Sequence, residues 1–190
     1  MTRWWWVRHG PTHQKAFTGW RDVPADLSDT AQLARLSAYL PQEACVITSD
    51  LKRASATGDA IAANRTRLPN DSMLREFDFG VWDGLHFSQV AERDPDLSRR
   101  YWEEPGDVAP PEGESWNTVA ARVQNLVDAM NTGYSDIIAV AHFGVILTQL
   151  QRASGKSAYE VLAQTIDPLS VTQLTHQDDA WQVGVINHLP

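Results

Sequence analysis

Cysteine is almost missing from this sequence: Cys45 stands alone among 190 residues. An internal disulfide is therefore impossible, and within the apolar run ACVIT the thiol reads as a small packing group. Basic runs are also missing. Lys and Arg total 16 against 24 Asp and Glu, a formal net charge of -8. That balance lacks the phosphate-neutralising surface on which non-specific nucleic-acid binding depends, so no nucleic-acid partner is expected. No apolar run approaches the roughly 20 residues of a membrane-spanning helix, so no membrane partner is expected either. The first residues lack the long apolar stretch and small-residue site of a secretory leader, and the chain is read as cytoplasmic. Internal repeats are absent, and nothing marks a second domain.

What is present is a globular composition. Hydrophobic residues make up 43% and charged residues 21%, with eight tryptophans to fill a core. The run WWWVRHG carries no polar alternation before Arg8, as expected of a strand covered on both faces, about Arg3 to Arg8. Residues 27–40 read as a helix with Ser28 at its N-cap and Leu33, Leu36 and Leu40 on one side. CVIT, residues 45–48, is a buried strand, and residues 49–63 form the next helix, capped by Ser49 or Asp50. Residues 74–85 hold two glycines among acids and aromatics and read as a loop. Residues 91–115 are rich in Pro and charge and read as an excursion over the body, either a solvated loop or a lid. A helix over 115–130 presents Val119, Val123, Leu126, Val127 and Met130 on one face. DIIAVA then forms a third buried strand that leads into another helix. Ser157 and Glu160 make a capping box. SVTQLT and WQVGVIN form a last antiparallel pair, whose edge strand offers a route to a homodimer. Strands alternating with helices predict a single α/β domain over 1–190, a three-layer sandwich with a mostly parallel central sheet.

Two of the strands end alike, in Arg8-His9-Gly10 and in His142-Phe143-Gly144. Ligands of open α/β sheets bind beyond the carboxyl ends of parallel strands. If the two strands are neighbours, both histidines share one cleft. Gly10 and Gly144 then let backbone approach a ligand and expose N–H groups. Arg53 follows the CVIT strand near a helix N-terminus, a position that favours anions. Two guanidinium forks and two imidazoles suit a phosphoryl group. On position and chemistry alone, a phosphate site and a set of unrelated polar strand ends stand level.

The segments VRHGPT, FTGWRDVPADLSDTA, TSDLKRASATGDAIA, LREFDFGVWDGL, EGESWNTVAARV and VAHFGVI, in that order, resemble the histidine phosphatase superfamily. The resemblance spans nearly the whole chain and implies a phosphoglycerate mutase-like fold. It implies a small phosphorylated substrate and no cofactor or metal. His9 becomes phosphohistidine. Arg8, Arg53 and His142 surround the phosphoryl oxygens, with backbone N–H groups near Thr18 and Gly19. Glu76 protonates the leaving oxygen, with Asp78 and Asp83 as neighbouring rivals. Members often carry Glu or Gln where Pro11 stands, Asn where Lys15 stands and Gly where Phe143 stands. Lys15 points to substrate or to solvent, Phe143 narrows the pocket, and His13 lines the site or lies outside it. His86, His176 and His188 read as packing or surface residues. Trp20, Trp82, Trp102 and Trp116 are each wall or core.

Short members with a glutamate acid include α-ribazole phosphatase and broad-specificity sugar phosphatases, and the chain is similar to them in length. The expected activity is phosphomonoester hydrolysis. The alternatives are phosphoglycerate mutase-type phosphoryl transfer and non-catalytic phosphate binding.

Overall fold

The computed structural model describes residues 1–190. Strand β1 (Thr2–Arg8) carries the tryptophan run. Alternation along a strand sends Trp4 and Trp6 to one face of the sheet, where both are fully buried and their rings stack 5.2 Å apart. Trp5 and Val7 face the other side. The run is apolar throughout because both faces are covered.

Five more strands complete one sheet: β2 (Cys45–Thr48), β3 (Thr66–Arg67), β4 (Asp136–Ala141), β5 (Val171–Gln177) and β6 (Ala180–Val183). Their order is β3-β2-β4-β1-β5-β6. The β1–β4, β2–β4 and β2–β3 pairs are parallel, and β5 and β6 are added antiparallel at one side. β1 and β4 are neighbours in register, Arg8 opposite Ala141. Both histidine-bearing strand ends therefore emerge side by side.

Helices α1 (Thr30–Tyr39) and α2 (Lys52–Ala62) cover one face, with Leu33, Leu36, Ala54 and Ile61 packed on Val7, Val46, Ile138 and Val140. The other face carries α5 (Trp116–Met130) and α6 (Phe143–Ser154) over Trp4, Trp6, Ile137 and Ala139. The short α7 (Ala158–Leu162) follows, with the Ser157–Glu160 capping box in place. These are the three layers expected.

The helix starts differ from the sequence reading. Residues 27–29 lie outside α1. Ser28 donates its amide to Asp26, and Asp29 is the N-cap, its carboxylate accepting from the Gln32 amide at 2.9 Å. α2 is capped by neither Ser49 nor Asp50. Leu51 holds the cap position, the Asp50 carboxylate is taken by Arg75, and the Lys52 amide is received by Asp22 at 2.7 Å. A cap supplied from 30 residues away leaves no local trace. The 91–115 excursion is not irregular throughout. It continues from α3 (Phe87–Arg93) into α4 (Pro95–Glu103), where Pro95 opens a helix instead of breaking one. On α5, Val119, Val123 and Val127 are buried, while Leu126 and Met130 are only partly covered.

Candidate active site

The β1–β4 pairing continues one step past the strands, with the His9 amide donating to Ala141 O at 3.0 Å. This holds the His9 and His142 rings 5.1 Å apart by centroid. His9 Nδ1 meets the carbonyl of Gly10 at 2.7 Å. A carbonyl only accepts, so Nδ1 carries the proton and Nε2 keeps its lone pair. Burial pushes the His9 pKa down to about 3. The Arg53 and Arg8 charges push the same way, against the Gly10 bond. The ring is thus neutral at pH 7. His142 is fully buried and held well below the usual histidine range by that burial. Neither of its nitrogens has a partner.

Two guanidiniums join the imidazoles. Arg53, in the first turn of α2, is buried and anchored by the carbonyls of Gly19 at 2.6 Å and Arg21 at 3.0 Å. Arg8 donates to Ile166 O at 2.6 Å and lies over the Phe143 ring at 5.5 Å, while its Nε is buried without a partner. Unpartnered buried polar atoms are costly, and those of His142 and Arg8 belong to side chains at the same strand ends.

Glu76 is the acid at this place. Its Oε1 accepts from the Phe77 amide at 3.0 Å and its Oε2 from the Gly144 amide at 3.1 Å. Burial raises its pKa above the ordinary carboxylate range, and the two amides with Arg53 and Arg8 act in opposition. Gly144 has to be glycine: a Cβ there would lie 2.6 Å from the Phe77 ring and 2.7 Å from Glu76 Oε1. The rivals are committed elsewhere. Asp83 accepts from the Gly19 and Arg21 amides, and Asp78 from the Gly80 amide.

The expectations for the backbone N–H groups need correction. The N–H groups of Gly10 and Gly144 are not free, since they donate to Thr57 Oγ1 and to Glu76. The Gly19 amide is taken by Asp83, whereas the Thr18 amide has no acceptor in the protein. Lys15 is exposed and makes no ion pair, bordering a shallow hollow with Phe17, Phe87 and Trp102. His13 lies outside the cluster, paired with Asp26 at 2.8 Å on the surface. Of the four tryptophans, Trp82 and Trp116 are buried. Trp20 holds the carbonyl of Glu76 at 2.8 Å.

Sequence reasoning missed the frame around Glu76. Arg122 of α5 donates to the carbonyls of Met73, Arg75 and Glu76 at 2.7 to 2.9 Å. It also grips Glu114 through both carboxylate oxygens. Glu114 in turn receives the Asp78 amide. The only sequence signal was that EGES and the following ARV lie in one resembling segment. No group of three or more His, Cys, Asp or Glu side chains is placed to hold a metal ion. No helix is long and apolar enough to cross a membrane.

A mixed sheet of this order, with paired histidines at its carboxyl edge, belongs to a phosphoglycerate mutase-like α/β fold. Residues 4–188 match the model of the histidine phosphatase superfamily (branch 1), and the chain belongs to that superfamily. The bifunctional protein Rv2228c of Mycobacterium tuberculosis is 32% identical over 194 residues, covering 95% of this chain and 52% of that protein. The chain thus spans about half the length of that relative. A 2,3-bisphosphoglycerate-dependent phosphoglycerate mutase of Mesorhizobium japonicum is 29% identical over 82% of this chain and 83% of its own. The mycobacterial glucosyl-3-phosphoglycerate phosphatase Rv2419c superposes with a TM-score of 0.84 at 26% identity, covering 98% of this chain and 99% of its own.

Proposed function

We propose that the chain is a phosphomonoesterase that hydrolyses a small phosphorylated metabolite through a phosphohistidine on His9. The carrying observation is the set of buried, unpartnered donors, His142 Nδ1 or Nε2 and Arg8 Nε, beside an imidazole whose Nε2 is free. In the first step Nε2 attacks phosphorus, a P–N bond forms and the P–O bond to the leaving group breaks. Glu76 gives its proton to the departing oxygen. In the second step water attacks the phosphorus, Glu76 takes a proton from it, and the P–N bond breaks to release inorganic phosphate and neutral His9. Arg8, Arg53 and His142 meet the non-bridging oxygens, where charge spreads during transfer. Full-length similarity to a phosphatase supports hydrolysis.

Transfer to a second substrate, as in a mutase, is the other reading, supported by the mutase relative. Hydrolysis of an aryl phosphate, with and without EDTA, tests the proposal. Turnover insensitive to EDTA and lost in His9→Ala is expected. Binding of phosphate without any turnover would overturn it. Label appearing on an added phosphoglycerate rather than as inorganic phosphate would favour the mutase.

A further inference from the structure

Glu76 and Gly144 face more than the histidine pair. They also border a narrow cleft of about 50 Å³, partly open to solvent. Its other walls include Phe77, Phe79, Trp102, Trp116, Phe143 and Leu162, and no lysine or arginine borders it. Protein interiors close-pack, so a retained space of this kind needs walls that hold it open. Here the aromatics brace one another. Phe77 packs on Trp116 with centroids 5.7 Å apart, Tyr101 meets Trp102 edge-on at 4.9 Å, and Phe17 contacts Phe79 at 5.0 Å. Tyr101 and Trp102 come from α4, within the segment that the sequence presents as a possible lid.

We propose that this cleft is the leaving-group subsite and that it takes an apolar organic group, aryl or alkyl, esterified to the phosphate. The inference rests on the phosphomonoesterase reading of the site. An acid that protonates a leaving oxygen must lie within hydrogen-bond reach of it. The carbon skeleton on that oxygen therefore sits beside Glu76, where the aromatic walls are. A carboxylate or a second phosphate placed there would lose its water and meet no cation. An apolar chain or ring would gain from burial, in a pocket with few polar groups and a raised carboxyl at its edge.

The test is calorimetric binding of n-alkylphosphonates, methyl to hexyl, to the wild-type protein, which requires no turnover. Each added methylene should tighten binding about fourfold until the chain outgrows the cleft. A carboxyalkylphosphonate of equal length should bind more weakly than its alkyl counterpart. Val108→Asp, at another wall position, should flatten the chain-length dependence. A flat dependence in the wild type, or equal binding of the carboxylate, would overturn the subsite and leave the phosphate site standing. Failure of even methylphosphonate and inorganic phosphate to bind would overturn the phosphate site and the subsite with it.

Discussion

Glu76 sits buried against two backbone amides, and burial favours its protonated form. A protonated carboxyl is what a poor leaving group needs and what a good one does not. Glu76→Gln should therefore lower kcat/KM for alkyl phosphates by about 10²- to 10⁴-fold, the usual worth of a general acid, and for p-nitrophenyl phosphate by far less. Equal losses on both would show that Glu76 does something other than protonate the leaving oxygen. His9 and His142 needed no family resemblance to be suspected, because each ends an apolar strand and parallel strands deliver their ends to one edge. Glu76 did. Its neighbours Asp78 and Asp83 look as plausible in sequence, and only folding shows that loop amides occupy both.

Glu76 lies in the irregular stretch between two short 3₁₀ turns, Ser72–Leu74 and Gly80–Trp82. Residues 73–78 are held from outside by Arg122, which accepts no substitute easily because its fork spans three carbonyls and a carboxylate. Removing that fork should let the acid drift without touching the nucleophile. Arg122→Gln should cost about 10- to 100-fold in kcat/KM, the scale of a misplacement near 1 Å. The loss should fall more heavily on alkyl than on aryl phosphates, copying Glu76→Gln. A uniform loss on both substrates would mean a general loss of structure instead. Such a clamp is illegible in sequence, since Arg122 and Met73 are 49 residues apart and meet only in the fold. The same holds for the α2 cap from Asp22. The buried strands were read well because their apolar runs are continuous, whereas the two-residue β3 carries no such run and was missed. α3 and α4 were missed because charge and Pro95 looked like an irregular segment.

Across the whole molecule, two histidines are buried neutral, and that choice makes stability depend on pH. The His9 pKa is about 3 folded against 6.5 unfolded, and His142 is depressed in the same direction. Above pH 6.5 neither group is charged in either state and neither affects stability. As pH falls from 6.5 toward 3, the unfolded chain takes up protons that the folded one refuses. Stability should drop by about 1.4 kcal/mol per pH unit for each histidine. Chemical denaturation in steps between pH 7.5 and 4 checks this, and His142→Gln should reduce the slope. The layering was within reach of the sequence, and the shared edge followed once β1 and β4 proved to be neighbours, but the strand order was not read. The aromatic cleft was not, because its walls come from the 77–79 loop, α4, α5, α6 and α7, and nothing in the chain places these together before it folds.

The central claim is that His9 carries the phosphoryl group. Rapid acid-free quenching during turnover, followed by mass spectrometry of the peptide that holds His9, measures it. A phosphoryl increment on His9, rising and falling with substrate and missing in an inactive His9→Ala, is the predicted result. Steady turnover with no increment on His9, or turnover that survives in His9→Ala, would contradict the account.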